Sequence, residues 1–294
     1  MSFRNPVRCL PLLLLLALAP GGASNLTLPL KPKSVKLAVI GDCGTGGKAQ
    51  YQIGQEMLAY HDKFPFDFVL MLGDNIYGSE SAGDFRRKFE EPYAGLLTLG
   101  VTFYASLGNH DGTNERLYKP FHMDGKRYYS FKKGNALFLA LDSNYMNPEQ
   151  LDWIKQQLSG SDARWKICFF HHPLYSDGKM HGPDLDLRKR LEPLFVQYGV
   201  TLVLSGHEHF YERIQPQRGI YYFVLGNSGQ LRYHNIRPSA EMAKGFDTDQ
   251  AFALMEIAGD DLYFQTISRS GSTVDSGVLP HPLNVTAAPH GVPQ

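Results

Sequence analysis

The chain is poor in several features that would have placed it quickly. It has 3 cysteines in 294 residues, too few for a disulfide framework. It has no excess of charge: Lys+Arg and Asp+Glu both number 29, so no global field draws it to nucleic acid or an anionic membrane. No apolar run reaches the roughly 20 residues of a bilayer-spanning helix. There is no internal repeat, no Gly/Ser-rich joint and no long linker. A phosphate loop is missing too: with Gly41 and Gly46 in register, the lysine position holds Gly47. Neither a Gly-x-Ser-x-Gly elbow nor an Asp–His–Ser order occurs. The hydrophobic fraction, 43%, is spread too evenly for a disordered chain. What is plentiful is histidine, 11 residues, the usual neutral metal ligand and acid–base group.

The ends read as separate from the body. Residues 1–23 are expected to be a secretory signal: Arg4 and Arg8 precede an apolar run over 10–19, and Pro20-Gly21-Gly22-Ala23 closes it. The rival reading is an uncleaved anchor. Cleavage would remove two arginines and Cys9, leaving Cys43 and Cys168, both in apolar surroundings and expected as buried thiols. A thiol-nucleophile role for Cys43, beside Asp42, is the rival there. Residues 24–33 are expected as a linker, 34–278 as the catalytic domain, and 279–294 as a loose proline-rich tail. Asn25-Leu26-Thr27 and Asn284-Val285-Thr286 match the N-glycosylation pattern.

Between the ends, short apolar runs alternate with helical patterns. Buried strands are predicted over 35–40, 66–72, 102–107, 136–141, 166–170 and 201–204. Helices are predicted over 51–60, after an Asn147 cap as far as Gly160, and over 183–198. After Glu212 the pattern is all strand, over 221–225, 252–257 and 262–267. One α/β domain fits, with parallel strands early and antiparallel strands late.

Ligands of open α/β folds sit beyond the C-terminal ends of strands. Five successive strand exits carry chemistry: Gly41-Asp42-Cys43-Gly44, Gly73-Asp74-Asn75-Ile76-Tyr77, Gly108-Asn109-His110-Asp111, His171-His172-Pro173, and Gly206-His207-Glu208-His209. Each alone reads as a turn or a structural histidine. Together, in order, they supply carboxylate, phenol, amide and imidazole, the donor set of a two-metal centre with one bridging carboxylate. Tyr77 is either a phenolate ligand, favoured by a strongly charged ion such as Fe(III), or a packing aromatic.

These elements resemble the metallophosphoesterases. The tyrosine of the second and His209-Phe210-Tyr211-Glu212-Arg213 are similar to purple acid phosphatases, and His181-Gly182-Pro183 to their small, tartrate-resistant type. The likeness runs from about Val35 to Gly229. It implies an α/β (mixed α+β), four-layer fold: two mixed sheets packed as a sandwich, with helices on both outer faces. It implies that Asp42, Asp74, Tyr77 and His209 bind Fe(III), and that Asp74, Asn109, His171 and His207 bind a second divalent ion (Fe, Zn or Mn). Asn109, His110 and His181 would contact the substrate, with His110 or His181 as the catalytic acid. His171 rather than His172 fits the ligand position, from its spacing to Pro173. His172 would then point to the other face of the strand. Two features depart from the family. The β-sandwich domain of large plant-type members is expected to be absent, and the segment after Asp142 is too short for the loop that covers the mammalian site.

The implied activity is acid phosphatase: a secreted or periplasmic hydrolase of small phosphomonoesters. In-line attack by metal-bound hydroxide and an acid optimum are expected. No nucleic acid partner and no membrane span after signal cleavage are expected, and the protein is expected to be a monomer. Phosphodiesterase action on nucleotides or lipids could use the same core. A non-catalytic phosphate- or partner-binding module is the reading from another class. Gly78–Gly83 and Ser176–His181 are candidate mobile rims. His61, His122, His234, His281 and His290 default to surface or loop.

Overall fold

A computed structural model describes residues 25–282. The first strand, β1 (Val35–Ile40), is buried at every position except Lys36. It reads as a continuous apolar run because both its faces are covered, as parallel strands usually are. In chain order there follow α1 (Lys48–His61), β2 (Phe68–Met71), two short helices, α2 (Ala82–Phe85) and α3 (Ala94–Thr98), and β3 (Thr102–Ala105). Next come β4 (Tyr129–Lys133), β5 (Ala136–Ala140), α4 (Pro148–Ser159), β6 (Trp165–Phe170), α5 (Leu185–Tyr198) and β7 (Leu202–Ser205). The last third is β8 (Tyr211–Gln217), β9 (Ile220–Leu225), β10 (Met242–Phe246), β11 (Ala251–Ala258), β12 (Asp261–Ser268) and β13 (Thr273–Pro280).

The strands form two mixed sheets. One has the order β13-β12-β11-β1-β2-β3, the other β10-β8-β9-β7-β6-β5-β4. β1, β2 and β3 are parallel neighbours, as are β5, β6, β7 and β9. The sheets face each other across an aromatic core. Phe68 meets Phe138 edge to face at 5.4 Å, and Phe223 meets Phe264 at 5.1 Å. Such pairs add to the burial energy of large rings. α1 covers the outer face of the first sheet, with Tyr60 edge-on to Phe252. α4 and α5 cover the second, packing Ile154, Leu158, Leu187, Leu191 and Phe195 against Leu139, Cys168 and Val203. This is the expected four-layer α/β/β/α sandwich.

The helix signals act as read. The Asn147 side chain accepts a hydrogen bond from the Gln150 N–H, Pro148 opens α4, and Gly160 ends it. α5 begins two residues later than expected, because Asp184 is its cap. The termini differ more. Within the stretch expected as a linker, Leu28 is buried, Thr27 N–H donates to Gln265, and Leu30 N–H donates to Glu256. At the other end β13 continues to Pro280, which pairs with Asp261. His281, expected at the surface, is buried; its Nε2 lies 2.8 Å from the Arg164 carbonyl and its ring is edge-on to Trp165. The expected signal, Cys9, His290 and the second glycosylation pattern lie outside the described residues.

Candidate metal centre

Parallel registration puts the ends of β1, β2 and β3 side by side, and those of β6 and β7 beside each other in the facing sheet. All five exits therefore open onto one edge of the sandwich. The turns there are tight. Asp42, Asp74 and His207 all have left-handed backbones, with φ of 51°, 51° and 70°. For a residue with a side chain this costs about 1–3 kcal/mol each, and such strain persists only where the surroundings hold it. Here Asp42 N–H donates to the Gly73 carbonyl and Gly44 N–H to the Asp74 carbonyl. The glycine before Asp74 has a structural reason. Gly73 itself has φ +86°, and a Cβ there would lie 2.7 Å from His171 Nδ1.

One donor group gathers Asp42, Asp74 and His209, whose ligand atoms all lie within 4.8 Å of one another. Tyr77 joins it: its hydroxyl donates to Asp42 Oδ1 at 3.3 Å and lies 3.3 Å from His209 Nε2. His209 Nε2 is also 3.3 Å from Asp42 Oδ1. Alongside lies a second group. His171 Nε2 is 2.9 Å from Asn109 Oδ1, 3.1 Å from His207 Nδ1 and 3.5 Å from Asp74 Oδ1. Asp74 touches both groups.

The chemistry of these donors suits cations. His171 Nδ1 donates its proton to the Leu72 carbonyl, so Nε2 presents a lone pair to the site. Asn109 Oδ1 and Asp74 Oδ1 also present lone pairs at those short distances. Burial, then the Asp74 charge, pushes Asp42 well above the usual carboxylate range. Burial, then the neighbouring imidazoles, drives His171 far down, and the same causes take His207 to about 2. Burial, then the cationic Arg232, takes His209 to about 4. Neutral imidazoles crowded on buried carboxylates form a site that positive ions would stabilise. Burial and the nearby carboxylates hold the Tyr77 phenol protonated.

The rim is open. Asn109, His110 and His181 are exposed. The His110 ring lies 5.1 Å from that of Tyr77, and the His181 ring 4.3 Å from that of His207, so the two flank the centre. A cavity of about 420 Å³ beside Asn109 is lined by His172, Arg127, Asn144, Tyr145 and Asp184 among others. A larger cavity, about 520 Å³, lies at the opposite end of the second sheet around Lys166 and Thr201 and carries none of these donors.

Some residues stand differently from expectation. His172 does not point away: β6 ends at Phe170, so strand alternation no longer applies, and its ring lies 4.5 Å from that of His207. Its Nδ1 is 2.8 Å from Ser143 Oγ. Cys43 and Cys168 are buried free thiols, as expected. Burial pushes the Cys43 thiol far up, which removes the thiolate a nucleophile needs. The Ser176–His181 rim is hydrogen-bonded to the chain over 235–237. Gly178 bridges Ile236, Lys179 N–H donates to the Asn235 carbonyl, and Arg237 N–H to the Asp177 carbonyl.

Three supporting residues escaped the sequence reading. Asp111 accepts from the N–H groups of Asn75, Ile76 and Gly108, tying the β2 and β3 exits together. Glu208, fully buried, accepts from His181 N–H, Gly182 N–H and Asn235 Nδ2. Both lie inside motifs whose other members drew the attention. Arg232 belongs to no motif, and no local signal marks it.

The chain belongs to the calcineurin-like phosphoesterases, whose family model matches residues 35–211. Its homologues include acid phosphatases. It is 26% identical to tartrate-resistant acid phosphatase type 5 of Rattus norvegicus, over 88% of this chain and 96% of that one. It is 27% identical to purple acid phosphatase 17 of Arabidopsis thaliana, over 70% and 71%. Among solved structures, purple acid phosphatase PPD1 from yellow lupin (Lupinus luteus) seeds shares the fold, with a TM-score of 0.69 and 18% identity, over 93% of this chain and 58% of that one. GAP50, the anchor in the inner membrane complex of Plasmodium, also shares it, with a TM-score of 0.71 and 18% identity over 89% and 99%.

Proposed function

We propose that the protein is an acid phosphatase that hydrolyses phosphomonoesters at a two-metal centre. The observation that carries this reading is Asp74, which lies with Asp42 and His209 in one donor group and 3.5 Å from His171 of the other. Asp42, Asp74, Tyr77 and His209 would hold the ferric ion. Asp74, Asn109, His171 and His207 would hold the second, divalent ion. Bound there, the pair would acidify water and offset the charge of the phosphoryl group. The ferric assignment rests on Tyr77: its phenol, protonated among carboxylates, would yield its proton only to a strongly charged ion.

The chain's own groups supply the rest. Asn109, His110 and His181, exposed at the rim, are placed to take the phosphoryl oxygens. Water attacks phosphorus opposite the leaving oxygen, and protonated His110 or His181 gives that oxygen its proton. The need for a protonated imidazole is what favours an acid optimum. The proposed route is secretion, on the strength of the signal pattern in residues 1–23. No helix of the described residues is long and apolar enough to cross a membrane.

The test compares p-nitrophenyl phosphate with bis-p-nitrophenyl phosphate on wild type, Asn109→Ala and His207→Ala. Faster turnover of the monoester, lost in both variants, supports the reading. A diester preference would make the protein a phosphodiesterase instead. Unchanged rates in the variants would place the chemistry elsewhere.

A further inference from the structure

Lys88 is a buried cation bonded to a residue of the centre. It is 7% exposed and stands directly after α2, in a single π-helical turn, Arg86–Glu90, a form that often accompanies function. Its Nζ makes an ion pair with Asp84 Oδ1 at 2.8 Å and donates to the Tyr77 carbonyl. Asp84 is fixed in turn by the hydroxyls of Ser79 and Ser81. The lysine backbone is tied to the β1 exit: its carbonyl accepts from Gln50 Nε2, and Gln50 Oε1 accepts from Gly46 N–H. A buried ion pair adds little net stability over apolar residues of the same size, so its place here calls for another reason. Tyr77 supplies one. Its N–H donates to the Gly44 carbonyl and its carbonyl accepts from Lys88, so its backbone is held on both sides. Among the described residues the Lys88 bond is the one that this carbonyl accepts. From that fixed backbone the phenol reaches Asp42 Oδ1 and His209 Nε2, at 3.3 Å each.

We propose that Lys88 is a positioning residue for Tyr77: by holding the Tyr77 carbonyl it sets where the phenol meets Asp42 and the metal between them. The proposal rests on the two-metal phosphatase reading and adds a residue that reading does not need. The ammonium is spent on Asp84 and the Tyr77 carbonyl, so Lys88 acts through Tyr77 and not on the substrate. A ligand must be held by its supports to within a fraction of an ångström of its working geometry, and a charge-assisted bond from a buried, ion-paired donor provides that.

The experiment uses the full chain purified with its metals. It compares wild type with Lys88→Met, an uncharged near-isostere, and with Asp84→Asn/Lys88→Met, which leaves no unpaired carboxylate behind. Each is made again in a Tyr77→Phe background. Iron per chain, the visible band per bound iron, thermal unfolding and p-nitrophenyl phosphate kinetics are measured. A displaced phenol predicts a band per iron reduced to about half or less, kcat about ten-fold lower and KM within about two-fold of wild type. In Tyr77→Phe, with no phenol hydroxyl to place, the same substitutions should change kcat by less than about two-fold. An equal fall of kcat in both backgrounds overturns the proposal, and so does an unchanged band per bound iron, because a merely structural lysine would give either. Failure of both Lys88 variants to fold overturns it as well, since Lys88 would then serve the fold rather than Tyr77. A colourless wild type that still hydrolyses the ester ends the ferric assignment, and the comparison of kcat between backgrounds then decides for or against Lys88 by itself. If the wild type hydrolyses nothing, the phosphatase reading fails, and this inference with it.

Discussion

Glu208→Ala should release one wall of the site without touching the sheets. The carboxylate is fully buried and accepts from His181 N–H at 3.2 Å, Gly182 N–H at 2.6 Å and Asn235 Nδ2 at 3.2 Å. It thus clamps two loops, residues 176–182 and 231–237, that otherwise hold each other through the two backbone bonds of the Gly178–Ile236 bridge and the Lys179 Nζ bond to the His234 carbonyl. Truncation leaves two backbone donors and one amide without an acceptor. Hydrogen bonds to a charged acceptor are worth about 1.5–3 kcal/mol each, but water can enter the space and the loss is not additive. We expect about 2–4 kcal/mol of local destabilisation. It is local because no strand pairing depends on Glu208.

The matching assay is amide hydrogen exchange. At about 1.4 kcal/mol per factor of ten, exchange of the His181 and Gly182 amides should speed up about 30- to 1000-fold. Amides of β1, β6 and β11 should keep their wild-type protection. Turnover of p-nitrophenyl phosphate should fall with the loss of a fixed His181. Glu208→Gln, which keeps one acceptor, should sit between the two. If exchange over 178–182 were unchanged in Glu208→Ala, the clamp would be fictitious. If protection fell everywhere together, Glu208 would support the whole domain rather than the loops.

Asp42→Asn should have opposite effects with and without metal. In chelated protein it removes a buried carboxylate together with its repulsion from Asp74 and keeps a side chain that tolerates the left-handed backbone, so thermal unfolding should move up; with metal it should bind less and move down. A drop in the chelated protein would contradict the repulsion argument. Tyr77→Phe should abolish a purple or pink band in the visible spectrum of the purified protein, and a colourless wild type with full activity in manganese or zinc would end the ferric assignment. Glu212, buried and accepting from Asp177 N–H, is raised to about 8, chiefly by burial and then by Asp177. Its folded state holds the proton longer than the unfolded chain, so its contribution to stability is full in acid and is lost as pH rises from the ordinary carboxylate range through about 8. Glu212→Gln should flatten that part of the unfolding-versus-pH curve, and an equal slope in the variant would show Glu212 titrating normally.

The parts legible in the sequence are those where one physical demand dominates. β1 and β6 are buried on both faces, so their apolar runs needed no partner information. The Gly-Asp and Gly-Asn exits were legible because tight turns and metal donors both restrict residue choice. At Gly108 a Cβ would fall 2.2 Å from Asp74 Oδ1, so the spacing of the motif reflects contact between exits, not local turn preference alone. The elements missed carry mixed demands. β4, β10 and β13 are edge strands whose residues alternate imperfectly between core and solvent, and β8 opens with the motif residues Tyr211-Glu212-Arg213. Their polarity reads as loop until the neighbouring strand is known.

The same logic separates ligand-set residues from their supports. A donor announces itself by its type. A support such as Asp111, Glu208 or Arg232 is defined by what it faces, and facing is a property of the assembled turns. His172 makes the point from the other side. Two residues past the end of β6, the alternation rule no longer applies, and the ring assigned to the outer face stands against His207. Around this centre, Glu208 and His172 sit inside motifs under the letter x, whereas Arg232 lies far from any of them.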